Sequence, residues 1–263
     1  MDRNERSLEQ AALEADQVLR LFSDMAAKEL DAETTLLIEI NGVPVGSVTC
    51  LDSALAELAA GWTFLHRYFE NPREFDRSNA AYDRASVMIH GGQEIELRRD
   101  ELLGMRSSRQ SVPDPWPRDE PWSVREEILL DILREGWGIF RGDRMAEGSV
   151  HAALASESGI EVVAFDITSE NAVAKVLGWS LISQSFPTHE ILIVNGLITR
   201  AMVDAAARLG VQIIATPNVA TNDAWRASRL AGISIVAYMR HRTAGMFHDH
   251  GLVITEVDGD IDT

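Results

Sequence analysis

Cysteine is almost missing from this chain of 263 residues: Cys50 stands alone. One thiol excludes an internal disulfide, a cysteine-rich zinc site, an iron–sulfur cluster and any C-x-x-C redox pair within one chain. Basic residues are also scarce. Lys and Arg number 24 against 41 Asp and Glu, giving a net charge of -17. Nucleic-acid binding needs a basic face that displaces counterions, so this balance speaks against it and for solubility. Long apolar runs are lacking, and none approaches the ~18–20 residues that cross a bilayer. The charged start Met1-Asp2-Arg3-Asn4-Glu5-Arg6 has no apolar run behind it, which predicts no signal peptide, no membrane partner and a cytoplasmic protein. Neither G-x-G-x-x-G nor the P-loop pattern occurs.

What remains is an ordinary globular composition, 46% hydrophobic and 25% charged, long enough for one large domain or two small ones. Ser7-Leu8-Glu9-Gln10 has capping-box spacing, and Leu8, Ala12, Ala15, Leu19, Phe22 and Ala26 follow at helical steps. Thr35–Ile40 and Val43–Cys50 read as a hairpin turned by Asn41-Gly42. Asp52 is positioned to cap a helix through Leu55, Leu58, Ala59, Trp62 and Leu65. Ala85–His90 and Gln93–Arg99 read as a second hairpin across Gly91-Gly92. Between Ser107 and Trp122 the pattern breaks: Pro113, Pro115, Pro117 and Pro121 are half of the eight prolines. Proline removes amide donors and stops helices, so 107–122 is predicted as a linker loop between a small α+β domain, 1–106, and a second domain, 123–263.

The second half alternates. A helix restarts at Ser123. Ser149–Ala155 and Ile160–Ile167 form a hairpin. Helix Glu170–Ile182, strand Glu190–Val194, helix Arg200–Leu209, strand Val211–Ala215, helix Asp223–Leu230 and strand Ile233–Met239 follow. Continuous apolar strands between three-turn helices indicate an α/β fold with a mainly parallel sheet and helices on both faces.

In such sheets ligands bind at the carboxyl ends of the strands. Three strand-to-helix loops open there: 166–171, 195–199 and 217–222. Each is rich in small polar residues and feeds a helix N-terminus, where free amides favour anions; the plainer reading takes Ser169, Thr199 and Thr221 as N-caps only. Lys175, Arg200, Arg240 and Arg242 could neutralise a phosphate; Glu170 and Asp223 oppose one. His241, His248, Asp249 and His250 cluster near the C-terminus without the spacing of a metal site, so they read as a solvated tail. His151 either reaches the crevice or is a core histidine. Zinc deaminase chemistry requires H-x-E and P-C-x-x-C; His151 is followed by Ala152-Ala153 and no second cysteine exists, so no metal site is expected. Cys50 reads as a small buried hydrophobe.

Several of these segments together resemble the FdhD family, the formate dehydrogenase accessory sulfurtransferases, from about Thr34 to Phe247. Gly148-Ser149-Val150-His151-Ala152-Ala153 resembles T-G-G-x-H-x-A. Residues 166–175, from Asp166 through Asn171 to Lys175, fall where the family has D-V-G-R-H-N-A-x-D-K. Asn195-Gly196-Leu197-Ile198-Thr199 stands at S-G-R-x-S, and Asn218-Val219-Ala220-Thr221 at S-A-P-T. Arg240 and Phe247 match the final segment, and Ile40-Asn41-Gly42 and Leu58-Ala59-Ala60-Gly61-Trp62 resemble V-N-G and L-A-x-G-F.

The resemblance implies a cytidine-deaminase-like α/β/α C-terminal domain, a smaller α+β N-terminal domain and a homodimer. It implies sulfur transfer from a cysteine desulfurase to the molybdenum cofactor of formate dehydrogenase, with the cofactor's guanine-dinucleotide form (molybdopterin guanine dinucleotide) bound as client. Carried over by motif, its binding residues would be His151, Asp166, Asn171, Lys175, Asn195, Gly196, Asn218, Thr221 and Arg240. The family's sulfur travels on a C-x-x-C loop, and the corresponding segment 107–122 has no cysteine. Thr168, Ser169 and Glu170 replace the glycine, arginine and histidine of D-V-G-R-H, and Leu197 replaces the arginine of S-G-R. The expectation is therefore an FdhD-type accessory protein, cytoplasmic, that takes part in sulfuration of the cofactor without carrying sulfur itself; no catalytic residue is assigned. Two alternatives stand beside it: Cys50 as a lone carrier, and the fold reused as a small-molecule enzyme or nucleotide sensor with His151, Asp166 and Lys175 in the crevice.

Overall fold

The computed structural model describes residues 32–90, 122–142, 148–186, 190–240 and 243–254, without the side chains of 237–240 and 243–248. The expected first helix, the strand Gln93–Arg99, nearly all of the 107–122 loop, and His241 and Arg242 lie outside the described residues.

The first sheet has four strands in the order β2-β1-β4-β3. Strands β1 (Glu33–Ile40) and β2 (Val43–Leu51) form the hairpin expected at Asn41-Gly42. Both turn residues have positive φ, 49° and 83°, as a tight hairpin turn requires. Pro44 sits on the edge strand, where its missing N–H costs no ladder bond. Strands β3 (Phe75–Ala81) and β4 (Arg84–Ile89) form a second hairpin, and β4 runs parallel to β1. Strand β3 is not among the elements expected from the sequence. Helix α1 (Leu55–Leu65) starts from Ala54 in the left-handed region with no side-chain cap, so Asp52 does not cap it.

The second sheet has six strands in the order β11-β10-β9-β8-β6-β7. It comprises β6 (Val150–Ser156), β7 (Gly159–Asp166), β8 (Ile191–Val194), β9 (Ile213–Thr216), β10 (Ser234–Arg240) and β11 (Thr243–His248). Strands β8, β9 and β10 are mutually parallel, and β6 is antiparallel to both β7 and β8. Strands β7 to β10 therefore share one direction, as the helical crossovers predict, with β6 inserted against them and β11 antiparallel at the edge. Short strands β5 (Val124–Arg125) and β12 (Val253–Ile254) pair beside helix α2 (Glu126–Gly142), which begins after that pair rather than at Ser123.

Helices α3 (Ser169–Ser183), α4 (Arg200–Leu209) and α5 (Asn222–Ala231) connect the codirectional strands. Gly210 and Gly232 end α4 and α5 at φ 96° and 72°, a region open to glycine at no steric cost. One apolar cluster runs from Leu36, Ile38 and Phe64 of the first half through Val173 and Leu177 to Leu192 and Ile214 of the second. A second cluster, with Leu129, Ile132 and Leu133 of α2 over Ala153, Ile193 and Ala215, covers the opposite face of the large sheet. The junction is closed by Arg208 of α4, which is buried over the Phe64 ring at 4.0 Å and donates to the carbonyls of Phe64 (2.7 Å) and Phe69 (3.0 Å). Burial pulls its guanidinium down to about 10. No helix among the described residues is long and apolar enough to cross a membrane.

Candidate functional site

Strands β7, β8 and β9 end at one edge of the large sheet, so the three expected loops lie together. Thr168 caps α3 by accepting from the Asn171 amide, and Thr221 caps α5 by accepting from Ala224. The first cap is thus Thr168 rather than the expected Ser169, and Thr199 makes no side-chain cap bond to α4. Ser169 instead donates across to the Leu197 carbonyl at 3.2 Å. Gly196 makes that crossing possible: a Cβ there would come 2.6 Å from the Cβ of Ser169. The next two loops are zipped. Ile198 bridges Ala220, Thr216 donates to the Gly196 carbonyl at 2.8 Å, and the Asn218 amide donates to the Asn195 carbonyl at 2.7 Å. Asn195, Gly196, Asn218 and Thr221 thus share one surface, whose exposed members include Ile167, Leu197 and Val219.

His151 enters this surface from the start of β6. Its ring stacks on Phe140 of α2 (centroids 5.1 Å apart) and tilts against Phe165 of β7 (5.8 Å). Its backbone N–H donates to Asn195 Oδ1 at 2.7 Å. The residue is buried, and it stands beside the loops.

Asp166, Asn171 and Lys175 point the other way, into the junction with the first sheet. Lys175 Nζ contacts Asp166 Oδ2 at 2.7 Å and donates to Ser53 Oγ and the Phe165 carbonyl, both at 3.1 Å. Asp166 Oδ1 accepts from the Ile167 amide (2.7 Å) and from Asn171 Nδ2 (2.9 Å), which also reaches the Thr49 carbonyl at 2.8 Å. Asp166 and Lys175 are 0% and 1% exposed. An ammonium has three protons to donate, and these three contacts account for them. The trio acts as a buried lock between strand β2 and helix α3. Ser53 and Thr49, which complete it, were not singled out from sequence; the signal available was a lysine inside the apolar run Ala172–Leu177.

Cys50 lies beside this lock, fully buried, and its thiol is pushed up to about 11 by burial, with the nearby Asp166 carboxylate adding to the effect. Near neutral pH that leaves roughly 100-fold less thiolate than an unburied cysteine carries. Alkylation by iodoacetamide in the folded chain is expected to be slower by at least that factor than in 6 M urea. Equal rates would refute the buried assignment.

Charge at the loop edge is largely consumed inside the chain. Arg200 contacts Asp204 at 3.4 Å, and Glu170 pairs with His66 at 3.1 Å. The hydrogen bond from His66 holds the Glu170 carboxyl below the usual carboxylate range. Burial pushes the Asp204 carboxyl up, against the pull of Arg200 and Arg67. Arg240 ends β10 at the same sheet edge, its backbone paired with Thr243. Among the described residues no three His, Cys, Asp or Glu side chains gather as a metal site.

These features define an α/β protein with its candidate site on the strand-to-helix loops of its largest sheet. The chain belongs to the FdhD/NarQ family, whose model matches residues 31–254. It is 32% identical over 131 residues to a sulfur carrier protein FdhD of Nocardia farcinica, covering 48% of this chain and 46% of that one. A sulfur carrier protein FdhD of Bacillus licheniformis is 27% identical over 233 residues, covering 84% and 89%. The chain thus spans about half the length of some curated relatives and most of others. The crystal structure of a chain from Desulfotalea psychrophila, described as a formate dehydrogenase accessory protein, superposes with a TM-score of 0.69 at 20% identity, covering 86% of this chain and 90% of that one.

Proposed function

We propose that this chain is an FdhD-type accessory protein of formate dehydrogenase that takes part in sulfuration of the molybdenum cofactor without carrying the sulfur on a thiol of its own. One observation carries the second half of that reading. In a family whose relatives are named sulfur carriers, this chain's one cysteine is sealed beside Asp166 and held as a thiol. A persulfide carrier needs an accessible thiolate, and no other side chain substitutes for it. The reading of Cys50 as a lone carrier is disfavoured on the same ground.

The reading keeps the division into 1–106 and 123–263 joined by 107–122, a deaminase-like plan for the second part, a homodimer, and formate dehydrogenase and a cysteine desulfurase as partners. Molybdopterin guanine dinucleotide enters as client. His151, Asn195, Gly196, Asn218, Thr221 and Arg240 line the edge that would meet it; Asp166, Asn171 and Lys175 support that edge from within. The exposed Ile167, Leu197 and Val219 give phosphates no charge to pair with, so the client would be held weakly. The names of the relatives favour this reading over an unrelated enzyme or sensor.

Incubation of the full chain with a cysteine desulfurase and 35S-cysteine tests it. The expected result is no label retained on this chain under non-reducing conditions, alongside co-purification of a formate dehydrogenase on a tagged copy. Stoichiometric label sensitive to reductant overturns the non-carrier claim, and absence of any dehydrogenase subunit from the captured material overturns the accessory claim.

A further inference from the structure

The hydrogen bonds around His151 fix more than its position. Asn195 Oδ1 receives the His151 backbone N–H at 2.7 Å. A backbone amide can only donate, so the atom facing it must be the oxygen, and the usual ambiguity between the two ends of a carboxamide is removed. The other end of Asn195 is therefore the –NH2 group, and it lies 3.4 Å from Nδ1 of the same histidine. An –NH2 group has no acceptor capacity, so Nδ1 must supply the lone pair. A neutral imidazole carries one N–H. We infer that His151 is held as the neutral tautomer with its proton on Nε2, and that Asn195 is the positioning residue that selects it.

Both alternatives put donor against donor. The Nδ1–H tautomer and the imidazolium each place an N–H on the Nδ1 side, facing the Asn195 –NH2 group. The aromatic faces of Phe140 and Phe165, from α2 and β7, hold the ring in the plane that aims Nδ1 at Asn195. The backbone of Asn195 is itself fixed from the far side, where its main-chain carbonyl receives Asn218 Nδ2 at 2.7 Å. The chain Asn218–Asn195–His151 thus passes orientation from the exposed loop to the buried ring. A substrate needing its proton removed by His151 is not served in this state, because the basic nitrogen is the one turned to Asn195. The inference stands on these contacts alone and does not depend on the function proposed above.

Long-range 1H–15N correlation on the full chain labelled with 15N-histidine, at pH 7.5, tests it. The His151 signals are identified by their loss in His151→Phe, which keeps the aromatic stack. The expected wild-type pattern is an unprotonated Nδ1 and a protonated Nε2. Asn195→Asp replaces the donor with an acceptor and is expected to move a proton onto Nδ1. Asn195→Ala removes the selection and is expected to give a mixture of tautomers. A protonated Nδ1 in the wild type overturns the inference, and an unchanged Nε2–H pattern in Asn195→Asp overturns the role of Asn195. The wild-type spectrum decides the tautomer by itself, so the inference stays falsifiable whether or not either variant folds.

Discussion

Lys175→Met is expected to destabilise the chain by about 3–5 kcal/mol, the range seen when one partner of a buried ion pair is removed. For a chain of this size that corresponds to a fall in Tm of roughly 6–20 °C. The reason is the environment of Asp166. Its carboxylate is wholly out of solvent, and Lys175 is the cation at 2.7 Å. Met fills similar volume but leaves the charge uncompensated. Three donors stay on the carboxylate, from Ile167, Asn171 and the long 3.4 Å contact of the Leu51 amide, and these keep the loss from being larger. The double variant Asp166→Asn, Lys175→Met should recover part of the loss, because the isolated charge is then gone while the acceptor for Asn171 and Ile167 is kept. Urea denaturation of the two variants against wild type decides the matter. A loss below about 1 kcal/mol in Lys175→Met would mean that the pair is not the lock. It would return both residues to the list of direct client contacts.

That outcome bears on how much the motif match conveyed. Asp166, Asn171 and Lys175 stand at the family's motif positions, and the motif correctly brings them together. It does not say which way they face. Their partners Thr49 and Ser53 lie more than a hundred residues earlier, and a contact of that range leaves no local periodicity. The same limit hid the place of β6. Its apolar run announces a strand, but its insertion between β7 and β8 is a matter of register with distant segments. Strand β3 was missed for another reason. Phe75–Ala81 is an edge strand with Asp76, Arg77, Ser78 and Asn79 in its middle, so little apolar signal was there to read.

The elements that were legible are those whose boundaries are set by local chemistry. Helices α4 and α5 end at glycines with positive φ, and α5 starts from a threonine that caps it. The strands β8 and β9 are fully buried, hence continuous in apolar residues. Their helical crossovers place the loop ends at one edge. The grouping of Asn195, Gly196, Asn218 and Thr221 followed from that topology. The single-residue error at the first cap has a specific cause: Ser169 has the chemistry of a cap, but its hydroxyl is drawn to the Leu197 carbonyl across the Gly196 gap.

The lock between the two sheets depends in turn on how closely α1 approaches α3, and there the sequence carries two glycines that allow no substitute. A Cβ on Gly61 would fall 1.8 Å from the Ala174 carbonyl oxygen, and one on Gly178 would fall 1.8 Å from that of Glu57. The obstacle in each case is backbone, which cannot rotate away as a side chain can. Either substitution forces the helices apart. Overpacking that side chains can relieve costs about 1–3 kcal/mol, so Gly61→Ala and Gly178→Ala are each expected to cost about 3 kcal/mol or more. The shift also pulls Lys175, one turn from Gly178, away from Ser53. Gly138 of α2 is the control: it is exposed, nothing lies within 4 Å of its Cβ position, and Gly138→Ala should stabilise by about 0.5–1 kcal/mol through helix propensity alone. Denaturation midpoints of the three variants separate the two effects. Should Gly61→Ala match the stability of wild type, the helices do not approach as described.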